Sequence, residues 1–236
     1  MAAADGSDHP ALRTDARGPR SIRLLAALVE AEARRFAAAA ADPRAAASDL
    51  VVAFRGGAEA TAAATPISSV SDFLERIQFF IRFDGSCYVL AGIYLMRFIR
   101  SPAAREAGVL IEPRTAHRLV AVALFLATKF HGNADELPSR WARVFEVSSS
   151  SAIRTGEMAP LEWSFLRAIG FQLFVDGEDF GWFCRVLERG PRAPPGATVA
   201  GRGRRQRRAK WRTTTAASNH ACRHQSWRPI RIQVGV

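Results

Sequence analysis

The sequence predicts an all-α protein, and three observations carry this prediction. Hydrophobic residues make up 48% and charged residues 23% of the 236 positions, which suits a packed core and excludes collagen-like, coiled-coil and wholly disordered chains. Apolar residues recur at helical spacing in several segments. The alternation of apolar and polar residues between hairpin turns, which is typical of strands, does not occur in a convincing form.

The first segments of the chain differ sharply in composition. Residues 1–20 mix Pro and Gly with small and charged residues, so we expect them to be disordered. The stretch SIRLLAALVEAEARRFAAAA carries apolar residues near helical spacing among many alanines, which predicts an amphipathic helix over 21–41 with Ser21 as its N-cap. The low-complexity run GGAEATAAATP then indicates a linker, which we place at 42–65.

Residues 66–188 contain the segments expected to form the main helical domain. In the first, FLERIQFFIRF, the side chains of Phe73, Ile77 and Phe80 share one face. The second, CYVLAGIYLMRFI, is apolar on nearly all sides, which is typical of a helix buried all round. Pro113 is expected to open the third helix as its first residue. The remaining predicted helices are PSRWARVFEV, EMAPLEWSFLRAIGF and a weaker last one, DFGWFCRVL.

The net charge of +11 is concentrated in one part of the chain. Residues 190–236 hold eleven Lys and Arg and no acidic residue, whereas residues 1–189 hold equal numbers of basic and acidic residues. The excess therefore belongs to a basic tail, placed at 189–236 and expected to be disordered, and it gives no argument for a folded nucleic-acid-binding domain. Its run RGRRQRRAKWR is a candidate nuclear-import signal. The candidate residues of this signal are Arg204, Arg205, Arg207, Arg208 and Lys210.

Three of the predicted helices carry a family resemblance. The segments CYVLAGIYLMRF, HRLVAVALFLATKF and EMAPLEWSFLRAIGFQL lie in the same order and spacing as three runs of the cyclin box, with one insertion. Among cyclins they look most like the plant P-type (U-type) family. The resemblance implies a single cyclin box of five packed helices at 66–188, preceded by the short helix over 21–41. A second box is not expected, because the tail lacks the apolar periodicity for one.

The resemblance also implies a function and a site. A cyclin is not an enzyme: it binds a cyclin-dependent kinase, grips the kinase's αC helix with the third and fifth helices of its box, and regulates kinase activity in the cell cycle or nutrient signalling. Lys129 in ATKF and Glu162 in PLEWSFL match two charged family positions that anchor this kinase helix. A Lys donor and a Glu acceptor can together fix the register of a docked helix. The residues expected to shape the groove around them are Ala127, Phe130, Leu161 and Phe165.

The sequence departs from the family pattern at one position that has a structural consequence. The family's YLDRF reads YLMRF here, so Met96 stands where the family has an Asp, beside Arg97. In the family that Asp pairs with an Arg of the first box helix, which matches Arg76. Arg76 is therefore expected to find another acceptor, such as Asp72 or Glu75, or to reach solvent. The loop after ATKF is also longer than in the family.

Two other classes of function stay open: a basic-tailed nucleic-acid-binding protein, and a degenerate cyclin-like protein without kinase binding. The sequence has no nucleotide-binding loop, nucleophile elbow or metalloprotease motif, so we expect neither an enzyme nor a cofactor. The cysteines Cys87, Cys184 and Cys222 are widely spaced and odd in number, which argues against a disulfide framework and favours a reducing compartment. Cys222 lies between His220 and His224, but no fourth ligand is near and no CxxC pair exists, so we expect no metal site. The longest apolar stretch is too short to span a membrane. The leading interpretation is a nuclear or nucleocytoplasmic protein that binds a kinase and neither nucleic acid nor a membrane.

Overall fold

Most of the described chain is helical, which confirms the all-α prediction. The structure, a computed structural model, describes residues 9–15, 18–37, 48–56, 69–131, 138–149 and 153–190, all within the unit Met1–Ala193. These ranges hold the helices α1 Arg20–Ala37, α2 Asp49–Arg55, α3 Val70–Ile81, α4 Gly85–Arg100, α5 Pro102–Ala107, α6 Ala116–His131, α7 Pro138–Ser148, α8 Thr155–Ala168 and α9 Gly177–Arg189. A 3-10 turn at Pro10–Leu12 and an antiparallel ribbon of two short strands, β1 Thr14–Asp15 and β2 Gly18–Pro19, precede them.

Helices α4 and α6 form the centre of this arrangement. Almost every residue of α4 as far as Leu95 is buried, and α6 is buried from Ala116 to Thr128. Apolar side chains cover all sides of both helices, so each needs neighbours all round. Helices α1 and α9 pack against α4, whereas α7 and α8 pack against α6. The prediction of a helix buried all round is confirmed for α4 and extends to α6.

A cluster of three aromatic rings joins α2, α4 and α8. Phe98 and Phe165 stack with their ring centroids 4.5 Å apart, and Phe54 meets Phe98 edge to face at 5.1 Å. All three side chains are fully buried, which stabilises the fold by about 2–3 kcal/mol for each of them. Phe54 belongs to α2, so the linker predicted over 42–65 is wrong at this helix. Seven residues with two buried apolar side chains are too short a helix to show a clear period in the sequence.

Part of the N-terminal segment expected to be disordered is folded. Ala11 is fully buried, and its backbone N–H donates to the Glu188 carboxylate of α9 at 3.1 Å. The same carboxylate oxygen lies 3.0 Å from His9 Nδ1. The prediction of Ser21 as an N-cap is also wrong, because α1 already begins at Arg20 and the Ser21 hydroxyl donates to the Gly85 carbonyl at 2.9 Å. These contacts join residues far apart in the chain, which a local pattern cannot show.

Two details of α3 and α6 also differ from the sequence prediction. Helix α3 begins with a reciprocal cap, in which the Ser69 hydroxyl accepts from the Asp72 N–H at 3.0 Å and the Asp72 carboxylate accepts from the Ser69 N–H at 3.2 Å. Phe80 is exposed and does not belong to the core face. Pro113 lies in a turn, and α6 begins only at Ala116. The buried residues of α3 are Val70, Phe73, Leu74 and Ile77.

The position of α9 depends on a glycine in α4. A Cβ atom added at Gly92 would lie 2.3 Å from Cε1 of Phe183 in α9 and 3.2 Å from Cδ1 of Leu25 in α1. The first distance is too short for any side chain, so α9 approaches α4 this closely only because position 92 has none. Gly92 therefore sets the spacing between three helices.

Candidate functional site

Lys129 and Glu162, the two residues at the centre of the expected site, form an ion pair between α6 and α8. Lys129 Nζ donates to Glu162 Oε1 at 2.6 Å, and it lies 5.3 Å from the centroid of the Phe125 ring. The Lys129 side chain is 37% exposed and that of Glu162 15% exposed. The Lys stem thus lies along α6 while its ammonium reaches the surface, and the carboxylate is fixed below it.

The four residues expected to form a groove around this pair do not all reach the surface. Phe130 is exposed beside Lys129. Ala127, Leu161 and Phe165 are buried in the core, so they do not reach the surface, and their expected part in shaping the groove stays a prediction. Helical rotation explains the difference, because neighbours of a surface residue along a helix point to other sides of it, including the side that faces the core. These three side chains support the site from beneath.

The Lys129–Glu162 pair has hydrogen-bonding capacity to spare. A Lys ammonium has three N–H donors, and the bond to Glu162 uses one of them. A carboxylate has two oxygens with several lone pairs, and Lys129 uses one oxygen. The ammonium lies at the C-terminal end of α6, in its last turn. The arrangement can therefore offer a donor and an acceptor at once to the polar groups of a docked partner.

A second ion pair joins α6 to α8 at the other end of the contact. Arg118 Nη2 lies 2.9 Å from Glu157 Oε1, and Arg118 Nε donates to the carbonyl of Ala53 in α2 at 3.1 Å. Burial by itself would raise the pKa of Glu157. The hydrogen bonds from Arg118 and from the Arg154 N–H, together with the positive charge of Arg118, outweigh burial and hold this pKa below its ordinary value of 4.5.

An exposed group of aromatic side chains lies next to Glu162 along the chain. We call Trp163, Phe171 and Phe174 the aromatic rim; all three are exposed, and the rings of Trp163 and Phe171 meet edge to face at 5.6 Å. Sequence reasoning missed the rim because large apolar residues are usually assigned to a core. One signal was available: Trp163 lies two residues from Leu161 and from Phe165, on the opposite side of the helix from that buried pair.

Side chains of α4 hold the segment that carries Phe174 of the rim. Arg97 Nη1 donates to the carbonyls of Gln172 and Phe174, both at 2.8 Å. Between them, the Tyr94 hydroxyl donates to the Leu173 carbonyl at 2.8 Å. Burial raises the pKa of Tyr94 to about 12, so this phenol remains a donor at neutral pH. We call residues 172–174 the clamped segment.

The altered YLMRF motif has a clear outcome in the structure. Arg76 Nε donates to the backbone carbonyl of Asp72, one turn earlier in α3, at 3.3 Å. Asp72 is one of the two acceptors expected for Arg76, although its backbone and not its carboxylate takes this bond. Met96 is half-buried and packs against the core. The substitution of Asp by Met at this position is thus compatible with the helix contact.

Metal binding and thiol chemistry find no support among the described residues. These residues contain no cluster of three His, Cys, Asp or Glu side chains that could hold a metal ion. Burial raises the pKa of Cys87 and of Cys184 to about 11, which makes both thiols poor nucleophiles. None of the described helices combines the length and hydrophobicity that a membrane span requires. Cys222 and the five candidate residues of the import signal, all within 204–222, lie outside the described residues.

Comparisons with known proteins agree on one family. The cyclin family model matches residues 20–173. Cyclin-P4-1 of Oryza sativa is 34% identical over 171 residues, which cover 72% of this chain and 73% of that protein. Cyclin-U4-2 of Arabidopsis thaliana is 32% identical over 124 residues, which cover 52% of this chain and 53% of that protein. Cyclin-P3-1 of Oryza sativa is 34% identical over 124 residues, so the match spans about half the length of the last two relatives.

Proposed function

The chain belongs to the cyclin family, which gives it a regulatory role, and from this premise we propose that it binds a cyclin-dependent kinase and positions the kinase's αC helix. The process in which the kinase acts, the cell cycle or nutrient signalling, is part of the same proposal. No catalytic step is assigned to the chain itself. Its contribution is binding energy that favours one conformation of another protein.

The Lys129–Glu162 pair is the observation that supports this proposal most strongly. The C-terminal end of a docked helix presents free carbonyls that need a donor, and its N-terminal end presents free N–H groups that need an acceptor. The pair supplies both, already oriented by a 2.6 Å bond, so little side-chain entropy is lost when a partner docks. Phe130 adds an exposed apolar ring next to the donor. This combination of charge and apolar area fits an amphipathic helix.

A docked αC helix explains how a regulatory protein can control a reaction that another protein catalyses. In protein kinases, catalysis requires an ion pair between a Glu of αC and a Lys of the third strand of the kinase. A partner that binds αC only in the inward position increases the population in which this pair is formed. The increase is limited by the difference in affinity for the inward and outward positions. Strong and oriented contacts at Lys129 and Glu162 are therefore what activation needs.

The experiment is a charge reversal of the pair. We expect the 236-residue chain to capture at least one member of a panel of cyclin-dependent kinases. The double variant Lys129→Glu, Glu162→Lys should bind that kinase about 30-fold more weakly or worse, because each introduced charge opposes a partner group. The matched control reverses Arg35 and Glu32, an exposed pair on α1 with a 2.9 Å contact, and should bind normally.

The outcomes separate the site from the function. Normal capture by the double variant would show that the Lys129–Glu162 pair is not the contact. If the folded wild-type chain captures none of the kinases, the proposal of kinase binding is wrong. Capture without an increase in kinase activity would contradict the part of the proposal that concerns αC.

We also propose that the basic tail directs the protein to the nucleus, a proposal supported by the sequence of residues 204–210 alone. Replacing the five basic residues of this run by Gln should move a fluorescent fusion of the full chain out of the nucleus. Replacing Arg223, Arg228 and Arg231, which lie further along the same tail, provides the control. Unchanged nuclear fluorescence in the first variant would contradict the proposal.

A further inference from the structure

We propose that Arg97 is a positioning residue for kinase binding, because it fixes the clamped segment and thereby holds the aromatic rim in place beside the Lys129–Glu162 pair. This inference rests on the proposed function and extends its contact surface. Arg97 lies on α4, whereas the rim lies on and after α8, so its effect on a partner is indirect. The observations that carry the inference concern the backbone of residues 170–174.

The chain leaves α8 in an unusual conformation. Gly170 and Phe171 both have positive φ angles, 61° and 58°. Glycine adopts this region freely, but a bulky aromatic residue rarely does, and it stays there only when its surroundings hold it. The Phe171 N–H donates to the Leu166 carbonyl of α8 at 2.9 Å, which fixes one side of the turn. On the other side of the turn, the Gln172 N–H donates to the Ile169 carbonyl at 3.2 Å, and Gln172 is also the first residue of the clamped segment.

The clamped segment has a backbone that belongs to neither a helix nor a strand. All three of its carbonyls accept hydrogen bonds from α4: the first and third from Arg97, and the middle one from Tyr94. A guanidinium is a planar fork with several donors, which suits two carbonyls on the same stretch of backbone. Arg97 also contacts the Asp179 carboxylate of α9 at 3.2 Å. Arg97 and Tyr94 thus hold this segment together, and Arg97 supplies two of the three bonds.

The hydrogen bonds from α4 to the clamped segment fix which of its side chains face outward. Leu173 is half-buried and packs against the core, whereas Phe174 is 75% exposed. Exposed aromatic rings held in a fixed position are costly in water and are typical of binding surfaces. The occupant we assign to the rim is the kinase that binds Lys129 and Glu162, because Trp163 lies on the exposed side of α8, the helix that carries Glu162, and its ring contacts that of Phe171. The rim therefore continues the same surface.

The test compares Arg97→Met with Phe174→Ala in the full chain, using the kinase that the wild type captures. Each variant should bind about tenfold more weakly, since each removes one part of the same contact. If Arg97 acts through the clamped segment, the double variant Arg97→Met, Phe174→Ala should have about the same affinity as the single variant that binds less tightly. Arg97→Lys keeps a donor and should recover part of the affinity. Arg100→Met, an exposed position of the same helix, is the control and should bind normally.

Two further readouts separate positioning from mere stability. Hydrogen exchange of the amides at 171–173, which donate to the backbone of residues 166–171, should speed up in Arg97→Met. The affinity should stay low even at temperatures far below the unfolding transition of this variant. Affinity losses that multiply in the double variant would overturn the inference, as would unchanged exchange. A lowered Tm with unchanged affinity would also overturn it, by making Arg97 purely structural. Absence of capture by the wild type would instead refute the proposed function.

Discussion

In the described part of the chain, helices α6 and α8 are joined by two ion pairs of opposite construction. In the Arg118–Glu157 pair the cation is the hidden partner, with an Arg side chain 6% exposed and a Glu side chain 39% exposed. In the Lys129–Glu162 pair the carboxylate is the hidden partner and the cation reaches solvent, at 15% and 37% exposed. The same two helices thus carry one pair that faces inward and one that faces outward.

The difference between the pairs depends on what each cation can do. Arg118 divides its donors between Glu157 and the Ala53 carbonyl, so it ties α2, α6 and α8 together. A buried guanidinium is tolerated only with such partners. Lys129 keeps unused donors at the surface, where an ion pair contributes little to folding. The comparison teaches that stability is concentrated at one end of the helix contact and capacity for binding at the other.

The largest expected effect is the loss of the inward pair. Glu157→Ala should lower the free energy of unfolding by about 3 kcal/mol, because the charge of Arg118 then remains buried without its carboxylate. Urea denaturation monitored by helical circular dichroism measures this value. The matched control is Glu162→Ala, whose loss should stay below about 1 kcal/mol. Equal losses for the two variants would remove the distinction between the pairs.

The stability that the Arg118–Glu157 pair contributes should also depend on pH, and this effect is smaller. The pKa of Glu157 is lowered in the folded state, so its contribution is complete above the unfolded value of 4.5 and is lost as pH falls through the folded value. Glu157→Gln should therefore be less stable than the wild type by about 1–2 kcal/mol at pH 7. The difference should shrink steadily below pH 4.5, measured by urea denaturation at each pH. A constant difference down to pH 2 would contradict this assignment.

Local patterns were sufficient for most of the helices and insufficient for the contacts between them. The apolar runs of α4 and α6, at 87–96 and 119–127, are ten and nine residues long and predict buried helices. Helix α2 is seven residues long, and the burial of its Phe54 depends on contacts with aromatic rings of α4 and α8, which are distant in the sequence. Arg118 and Glu157 are 39 residues apart, and no periodicity connects them.

At the candidate site too, the sequence pattern does not reveal which residues lie close together in the fold. Lys129 and Glu162 could be named together only because of the resemblance, since 33 residues separate them. The same resemblance gave Leu161 and Phe165 a part in shaping the groove, although both side chains are buried on the core face of α8. It also passed over Phe174, because a pattern of apolar residues does not reveal that a clamp on the backbone turns one of them outward.

Among these variants, Lys129→Met should change the free energy of unfolding least. It should nevertheless weaken kinase binding clearly, so it separates folding from binding best. Met keeps most of the apolar stem on α6 and removes the ammonium, so the free energy of unfolding should fall by less than about 1 kcal/mol, including the contact with Phe125. Kinase capture by the full chain, measured on the same preparation, should nevertheless weaken about tenfold or more, because a donor is lost from the contact. Lys129→Arg provides the control for charge. A loss of stability comparable to that of Glu157→Ala would mean that the outward pair is as structural as the inward one, and the division of the α6–α8 contact into a folding end and a binding end would not hold.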